Sequence, residues 1–209
     1  MLRSAFNLTR MALSLDAATR ADARYRIANW SRGIDLHDVS PEEAGLDPAT
    51  AVRYTNSGGP RLEAVLRDMR LAPGGRAIDI GCGKGGAVLT LAGHFAQADG
   101  IELSPALSAI ARRNLERAGA GNSTIFCADA TTFTAFDVYD FVYMYHPFPE
   151  PLVALTIANL CGSLRRRPRQ IVLLYYTPLW DRVIVDAGFE FVRAVDLKYQ
   201  AKVFQWKGD

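Results

Sequence analysis

Cysteine and histidine are scarce in this sequence, and their spacing excludes the common metal sites. The three cysteines, Cys82, Cys127 and Cys161, lie far apart, and no two of them have the short spacing of a zinc or iron–sulfur motif. The three histidines show no metal-ligand spacing either. An odd number of cysteines without a secretory leader is typical of reduced thiols. We therefore expect a cytoplasmic protein without a metal centre.

Long apolar runs and a strong charge imbalance are also missing. No apolar run reaches the about 20 residues that a membrane-spanning helix needs. The basic N-terminal segment lacks the continuous apolar core of a signal peptide. The formal net charge is only +2, whereas nucleic-acid-binding domains concentrate basic residues on one face. The dense basic cluster at 164–169 follows a predicted helix, where arginines complement the helix dipole. We therefore expect no transmembrane segment and no nucleic-acid partner. The sequence does not favour one oligomeric state over another.

The length and composition are typical of one globular domain with a modest extension. About half of the 209 residues are apolar, and this length is short for two full domains. Residues 5–30 contain neither proline nor glycine and predict a helix, whereas 31–59 are interrupted by both and predict an irregular segment. We divide the chain into an N-terminal helical extension or lid, 1–59, and a ligand-binding domain, 60–209. Residues 53–60 are expected to close over the ligand.

From residue 60 onward, the pattern alternates between strands and helices. The first predicted strand ends at Ile80, and the next four span 98–102, 124–127, 138–145 and 170–176. Helices are predicted over 60–69, after Ser104, over 150–165 and after Pro178. The last two strands, near 189–197 and 202–206, are too close for a helical crossover, so they predict an antiparallel hairpin. The expected fold is α/β: a Rossmann-like, doubly wound, mostly parallel sheet with a C-terminal antiparallel hairpin.

A glycine-rich turn between a predicted strand and helix is the feature around which the domain is organised. Such a strand–turn–helix unit opens nucleotide-binding sheets. Gly81, Gly83 and Gly86 match the G-x-G-x-x-G spacing of dinucleotide-binding proteins. Glu102 ends the next strand, at the separation expected for an acid that contacts a ribose. These residues alone fit an NAD(P)-dependent oxidoreductase or a protein with another nucleoside cofactor.

Acidic residues at three successive strand ends separate these two interpretations. Asp79 precedes the glycines, Glu102 ends the second strand, and Asp129 follows the third. The carboxyl ends of parallel strands share one edge of the sheet, so the three acids should surround one cleft. Carboxylates repel a diphosphate and attract a cation. The cleft therefore favours a nucleoside that carries an amino acid and a sulfonium.

This ordered set of motifs resembles the class I S-adenosylmethionine-dependent methyltransferases, and the resemblance extends over about residues 60–206. It implies that the loop residues Gly81, Cys82, Gly83 and Gly85 wrap the methionine part of the cofactor. It also implies that Asp79 lies near the cofactor amino group or an ordered water.

The same resemblance assigns the adenosine part of the cofactor to residues after the second and third strands. Glu102 is expected to accept hydrogen bonds from both ribose hydroxyls, a bidentate role that suits a carboxylate. Leu103 is expected to pack on the adenine. Asp129 would accept a hydrogen bond from the exocyclic amine, and Ala130 would donate its backbone N–H.

The turn after the fourth strand should face the transferred methyl group. Residues 144–149 read Met-Tyr-His-Pro-Phe-Pro, where amino-methylating relatives carry Asn or Asp, two prolines and an aromatic residue. The turn is more similar to the Tyr-Asn-Pro-Phe version of small bacterial methyltransferases without an assigned substrate. The resemblance implies that Phe148 contacts the substrate, and Tyr145 is expected either to line the methyl channel or to belong to the core. The functional interpretation of His146 is a general base or a group that positions the acceptor, because such folds place their chemistry at strand ends. A histidine held by backbone groups in a tight turn is the structural alternative.

The function expected from these residues is methyl transfer from S-adenosylmethionine to a nitrogen or oxygen of a small molecule or protein side chain. The sulfonium is already activated, so methyl transfer depends mainly on positioning, and a missing acid–base dyad does not count against an enzyme. An NAD(P)-dependent oxidoreductase and a non-catalytic S-adenosylmethionine-binding partner subunit are the alternatives.

Overall fold

The structure, a computed structural model, describes residues 16–71 and 74–207. Its first helix, α1 (Ala17–Ser31), begins at Asp16, whose carboxylate accepts a hydrogen bond from the backbone N–H of Thr19 at 2.9 Å. The predicted helix over 5–30 is thus present from residue 17, and its earlier part lies outside the described residues. The segment 32–59 is irregular, as expected, with an isolated antiparallel bridge between Val39 and Tyr54.

Strands and helices then alternate along the chain. The strands are β1 (Arg76–Ile80), β2 (Gln97–Glu102), β3 (Ile125–Cys127), β4 (Phe141–Tyr145), β5 (Val172–Tyr176), β6 (Phe189–Asp196) and β7 (Gln200–Trp206). The helices that follow α1 are α2 (Pro60–Met69), α3 (Gly86–Leu91), α4 (Pro105–Ala118), α5 (Glu150–Arg166) and α6 (Asp181–Asp186). None of the described helices is long and apolar enough to cross a membrane.

The seven strands form one sheet in the order β3-β2-β1-β4-β5-β7-β6. Strands β1 to β5 are parallel, and β7 runs antiparallel to both β5 and β6. The predicted fold class, with its C-terminal hairpin, is confirmed. The chain winds outward in one direction from β1 and in the other from β4, so a cleft forms where these two strands end.

Two apolar layers cover the faces of the sheet. Ala77 of β1 belongs to the layer that contains α2, α3 and α4, whereas Ile78 and Ile80 belong to the layer beneath α5 and α6. This alternation follows from the pleat of the strand, because successive side chains point to opposite faces. Burial on both faces explains why the central strands are nearly continuously apolar.

The fourth strand begins three residues later than its apolar pattern predicts. Residues Phe136–Val138 form a short 3₁₀ turn, and β4 starts only at Phe141. The Asp140 carboxylate accepts a hydrogen bond from the backbone N–H of Arg76 at 3.1 Å, and the Tyr139 hydroxyl donates to Asp99 at 2.7 Å. These bonds hold the residues just before β4 in a turn, so the strand pairing of β4 does not extend back to Val138.

The arginine cluster after α5 binds this turn. Arg169 donates to the carbonyls of Tyr139 at 2.8 Å and Phe136 at 2.7 Å, and Arg166 pairs with Asp137 at 2.9 Å. A charged donor to a carbonyl is stronger than a neutral one. These arginines therefore act inside the fold, at the amino end of β4.

Candidate functional site

A cavity of about 280 Å³ lies at the carboxyl ends of β1, β2 and β4. Residues that follow each of these strands form one wall, and the irregular segment around residues 50–57 forms another. Ten of the sequence-predicted site residues line this cavity: Asp79, Gly81, Cys82, Gly83, Glu102, Leu103, Asp129, Ala130, Tyr145 and Phe148. The shared edge formed by the carboxyl ends of the parallel strands thus brings together residues that are far apart in the sequence.

Gly85 and His146 are not among the residues that line this cavity. Gly85 precedes α3 with a φ of 79°, and a Cβ there would lie 3.3 Å from the Cβ of Ala111. Because glycine has no side chain, it can adopt this positive φ at the turn that leads into α3.

His146 sits in a strained turn beside the cavity. Its φ is 36°, which is uncommon for a residue with a side chain. Its Nδ1 atom is buried without a hydrogen-bond partner among the described residues, and burial lowers the pKa of the imidazole. Burial therefore favours the neutral form of the ring, and its neighbours Tyr145 and Pro147 face the cavity.

Glu102 is buried, and backbone donors hold it in place. One carboxylate oxygen accepts from the N–H of Gly83 and the other from the N–H of Ser104, each at 2.8 Å. Burial raises the pKa of Glu102, and these backbone bonds oppose the rise. A carboxylate has about four lone-pair sites, so each oxygen keeps one for a further donor.

Asp79 is buried at the end of β1, and its side chain has no hydrogen-bond donor within residues 16–71 and 74–207. Burial raises the pKa of this carboxyl well above its usual range, and the nearby charge of Glu102 raises it further. The same surroundings raise the pKa of the Cys82 thiol. A cationic group bound in the cavity would favour the ionised form of Asp79 and would offset the cost of its burial.

The Asp129 carboxylate is only partly engaged. Its Oδ1 accepts from the backbone N–H of Thr131 at 2.8 Å and from the Thr131 hydroxyl at 2.7 Å. No bond to its Oδ2 is formed within the described part of the chain. The turn thus orients Asp129 and leaves an oxygen available at the cavity wall.

The glycines of the loop allow the irregular segment to pack closely onto it. A Cβ on Gly83 would lie 2.0 Å from the ring of Tyr54, and one on Gly86 would lie 1.9 Å from the side-chain oxygen of Asn56. Tyr54 and Asn56 both line the cavity. Sequence reasoning expected closure by 53–60 but gave Tyr54 no individual role, because its position depends on a contact about 30 residues away along the chain.

An ion pair and an amide fasten the same segment to the loop. The buried Lys84 ammonium lies 2.9 Å from both carboxylate oxygens of Asp35. The Asn114 amide donates to the carbonyls of Asp35 and Lys84 at 2.8 Å and 2.9 Å. Lys84 follows Gly83 directly, so these bonds tie the start of the irregular segment to the glycine loop.

A second cavity of about 620 Å³ adjoins the first. The two share Thr55, Asn56, Ser57 and Tyr145 as wall residues. The remaining wall comes from α1, residues 34–38 of the irregular segment, the start of α2, the end of β5 and the β6–β7 turn. Tyr145 thus stands between a cavity with a buried acid and a larger cavity with aromatic walls.

Comparison with known proteins agrees with the site. Residues 77–167, somewhat less than half of the chain, match the family described as "Methyltransferase domain". Magnesium protoporphyrin IX methyltransferase from Synechocystis PCC 6803 with bound S-adenosylmethionine matches at 21% identity, with a TM-score of 0.52, over 69% of this chain and 74% of that one.

Two further solved structures share the fold. A methyltransferase from Aquifex aeolicus matches at 18% identity, with a TM-score of 0.55, over 69% of this chain and 91% of that one. One from Thiobacillus denitrificans, in complex with S-adenosyl-L-homocysteine, matches at 21% identity, with a TM-score of 0.50, over 65% of each chain. At such identities the structures establish the fold. The chain has the fold of the S-adenosylmethionine-dependent methyltransferases, and its residues 77–167 match a methyltransferase domain.

Proposed function

We propose that this protein transfers a methyl group from S-adenosylmethionine in the first cavity to a nitrogen or oxygen of a small molecule in the second. The observation that carries the proposal is the shared wall at Tyr145. A donor in one cavity and an acceptor in the other would meet there, and alignment is the main requirement of methyl transfer.

The chemistry of the first cavity fits the cofactor. Asp79 is a buried carboxylate without a donor, so it suits the amino group of the methionine part. Glu102 keeps a free lone pair on each oxygen, which suits two neighbouring ribose hydroxyls. Leu103 is half exposed beside it and offers an apolar surface to the adenine, whose exocyclic amine would donate to Asp129.

When bound, S-adenosylmethionine supplies a methyl carbon to the lone pair of the acceptor, the carbon–sulfur electron pair stays on sulfur, and the acceptor loses a proton. This chain's residues hold the reactants in line and exclude water. Tyr145 borders the reacting position, and Phe148 lines the cavity next to it. His146 lines neither cavity, so we assign it the positioning of the turn that carries both rings.

An NAD(P)-dependent oxidoreductase and a non-catalytic S-adenosylmethionine-binding subunit are less favoured interpretations. A nicotinamide dinucleotide brings a diphosphate, whose negative charge would oppose ionisation of Asp79 and Glu102, whereas the cationic groups of S-adenosylmethionine would favour it. The insertion of β7 between β5 and β6 also departs from the strand order 3-2-1-4-5-6 of dinucleotide-binding folds. A non-catalytic subunit would bind the cofactor but would not need the second cavity beside Tyr145.

Calorimetric titration with S-adenosylhomocysteine and with NADH tests the proposal. We expect S-adenosylhomocysteine to bind and NADH not to bind. Glu102→Gln removes a charged acceptor that is worth about 1.5–3 kcal/mol per hydrogen bond, so affinity should fall about 10- to 100-fold. Glu116→Gln, at an exposed position of α4 outside the cavities, is the control and should bind normally. Preference for NADH would refute the proposal.

A further inference from the structure

Three tyrosines form a continuous wall of the second cavity. We call Tyr145, Tyr176 and Tyr199 the tyrosine row. The ring centroids of Tyr145 and Tyr176 are 4.4 Å apart with an angle of 23° between their planes, and those of Tyr176 and Tyr199 are 6.3 Å apart with an angle of 29°. All three residues line the cavity. The row therefore runs from the shared wall with the cofactor cavity to the β6–β7 turn.

Hydrogen bonds fix the outer end of the row. The hydroxyl of Tyr176 accepts from the backbone N–H groups of Lys198 and Tyr199, each at 3.2 Å. Tyr176 itself is buried, whereas Tyr199 is 53% exposed. The exposed ring of Tyr199 is thus held in a defined position by a buried neighbour.

The wall contributed by α1 includes two large apolar side chains that are exposed. Trp30 and Ile27 line the same cavity and are 72% and 66% exposed. Large exposed apolar side chains that converge on a cavity are typical of a ligand site, because covering them removes their surface from water. A ligand between α1 and the tyrosine row would cover both walls.

The charges of the cavity disfavour a cationic acceptor. Among residues 16–71 and 74–207, the cations of this cavity are Arg26, Arg61 and Lys198, and its carboxylates are Asp22 and Asp38. Arg61 already neutralises Asp22 through an ion pair of 2.7 Å. A lysine side chain or another ammonium group would enter a cavity without an excess of negative charge, where its desolvation is poorly compensated.

The arrangement of the rings points in the same direction. An aromatic cage for a cation surrounds the charge with several ring faces. In the tyrosine row, neighbouring planes differ by only 23° and 29°, so the rings stack on one another and do not surround a cation. The ring edges and outer faces that remain favour a flat aromatic ligand, through edge-to-face contact or offset stacking.

We propose that the acceptor is a planar aromatic small molecule that packs against the tyrosine row and presents its nucleophilic oxygen or nitrogen beside Tyr145. This inference rests on the proposed function, because it names the acceptor class for the same methyl transfer. A cavity of about 620 Å³ is within the usual range for a drug-sized ligand, which is about 300–1,000 Å³.

Calorimetry on the S-adenosylhomocysteine-loaded protein tests the inference with three probes. These are 2-naphthol, which is planar, decahydro-2-naphthol, which has the same skeleton without planarity, and n-hexylamine, which is a linear cation. The saturated alcohol is at least as hydrophobic as 2-naphthol, so tighter binding of 2-naphthol reflects its planar aromatic system and not its hydrophobicity. We expect 2-naphthol to bind at least about tenfold tighter than the other two probes.

Variants locate the site. Tyr199→Ala should weaken 2-naphthol binding about tenfold, whereas Tyr199→Phe should retain it. Phe191→Ala is the matched control, because Phe191 is an aromatic of β6 with a similar exposure of 49% that lies outside the second cavity. Unchanged binding of S-adenosylhomocysteine to each variant shows that the fold is intact.

Each outcome bears on one of the two proposals. Equal affinity for the three probes, or no effect of Tyr199→Ala, would overturn the aromatic acceptor. Binding of S-adenosylhomocysteine without binding of 2-naphthol would overturn this inference and leave the methyltransferase proposal standing. Failure to bind S-adenosylhomocysteine would refute both.

Discussion

Replacing Gly83 by alanine places a methyl group between the glycine loop and the segment that covers it. The new Cβ would lie 2.0 Å from Cδ2 and 2.4 Å from Cε2 of Tyr54. Such an approach is far inside van der Waals contact, so Tyr54 must move. The backbone φ of 53° adds a second cost, because side chains rarely adopt this conformation.

The magnitude follows from these two effects. The left-handed conformation costs an alanine about 1–2 kcal/mol, and part of this is offset because alanine restricts the unfolded chain. Overpacking adds about 1–3 kcal/mol. We expect Gly83→Ala to lose about 2–4 kcal/mol of unfolding free energy, which a domain with a stability of about 5–15 kcal/mol tolerates.

A matched glycine isolates the contact with Tyr54. Gly119 has a φ of 73°, and a Cβ there would meet nothing within 4 Å. Gly119→Ala should therefore show the backbone cost alone, about 1 kcal/mol. Urea unfolding measures both losses, and calorimetry with S-adenosylhomocysteine should show weaker binding for Gly83→Ala only.

The double variant Gly83→Ala/Tyr54→Ala completes the test. Removing the ring should recover the overpacking part of the loss, which appears as a coupling energy between the two sites. If Gly83→Ala is no more destabilising than Gly119→Ala, or if the coupling is zero, Tyr54 does not pack on the loop and our description of the cavity wall is wrong.

Three further predictions concern charged groups. The native state keeps a proton on Asp79 at pH values where the unfolded chain has lost it. The unfolding free energy of the ligand-free protein should therefore fall as the pH rises above the ordinary carboxyl pKa. Asp79→Asn should make this fall of the unfolding free energy with pH smaller, as measured by urea titrations at several pH values. Asp35→Ala leaves the Lys84 ammonium buried without its partner and should lower the unfolding free energy by about 3 kcal/mol. Lys84→Met leaves only a partly hydrated carboxylate and should lower it by about 1 kcal/mol. Arg169→Met removes the charged donor to two carbonyls and should cost about 2–3 kcal/mol without changing S-adenosylhomocysteine affinity.

Each of these predictions has a clear contrary result. A pH slope that is the same in Asp79→Asn would show that this carboxyl is not the group responsible. Equal losses for Asp35→Ala and Lys84→Met would contradict a buried ammonium. Weaker cofactor binding in Arg169→Met would mean that the amino end of β4 is coupled to the site.

Local signals in the sequence predicted most of the fold. Ser104 and Gly119 delimit α4 as a cap and a left-handed terminus, as their residue types indicate. The start of β4 was predicted too early, because Val138 continues an apolar run but belongs to the 3₁₀ turn that Arg169 holds. That turn depends on a contact about 30 residues along the chain, and no local pattern records it.

The site was predictable where a strand end fixes it. Asp79 and Glu102 follow buried strands, so the topology alone places them together. Tyr54 and Tyr199 lie in an irregular segment and a hairpin turn, and only packing decides which way they face. The position of β7 between β5 and β6 was also beyond the pattern, because a hairpin does not reveal which of its strands joins the sheet.

A crystal structure with S-adenosylhomocysteine bound tests the central claim most directly. We predict the ribose hydroxyls at Glu102, the amino group at Asp79, and the sulfur facing Tyr145 and the second cavity. A ligand whose sulfur points away from Tyr145, or whose ribose does not contact Glu102, would contradict the assignment of the two cavities as donor and acceptor sites.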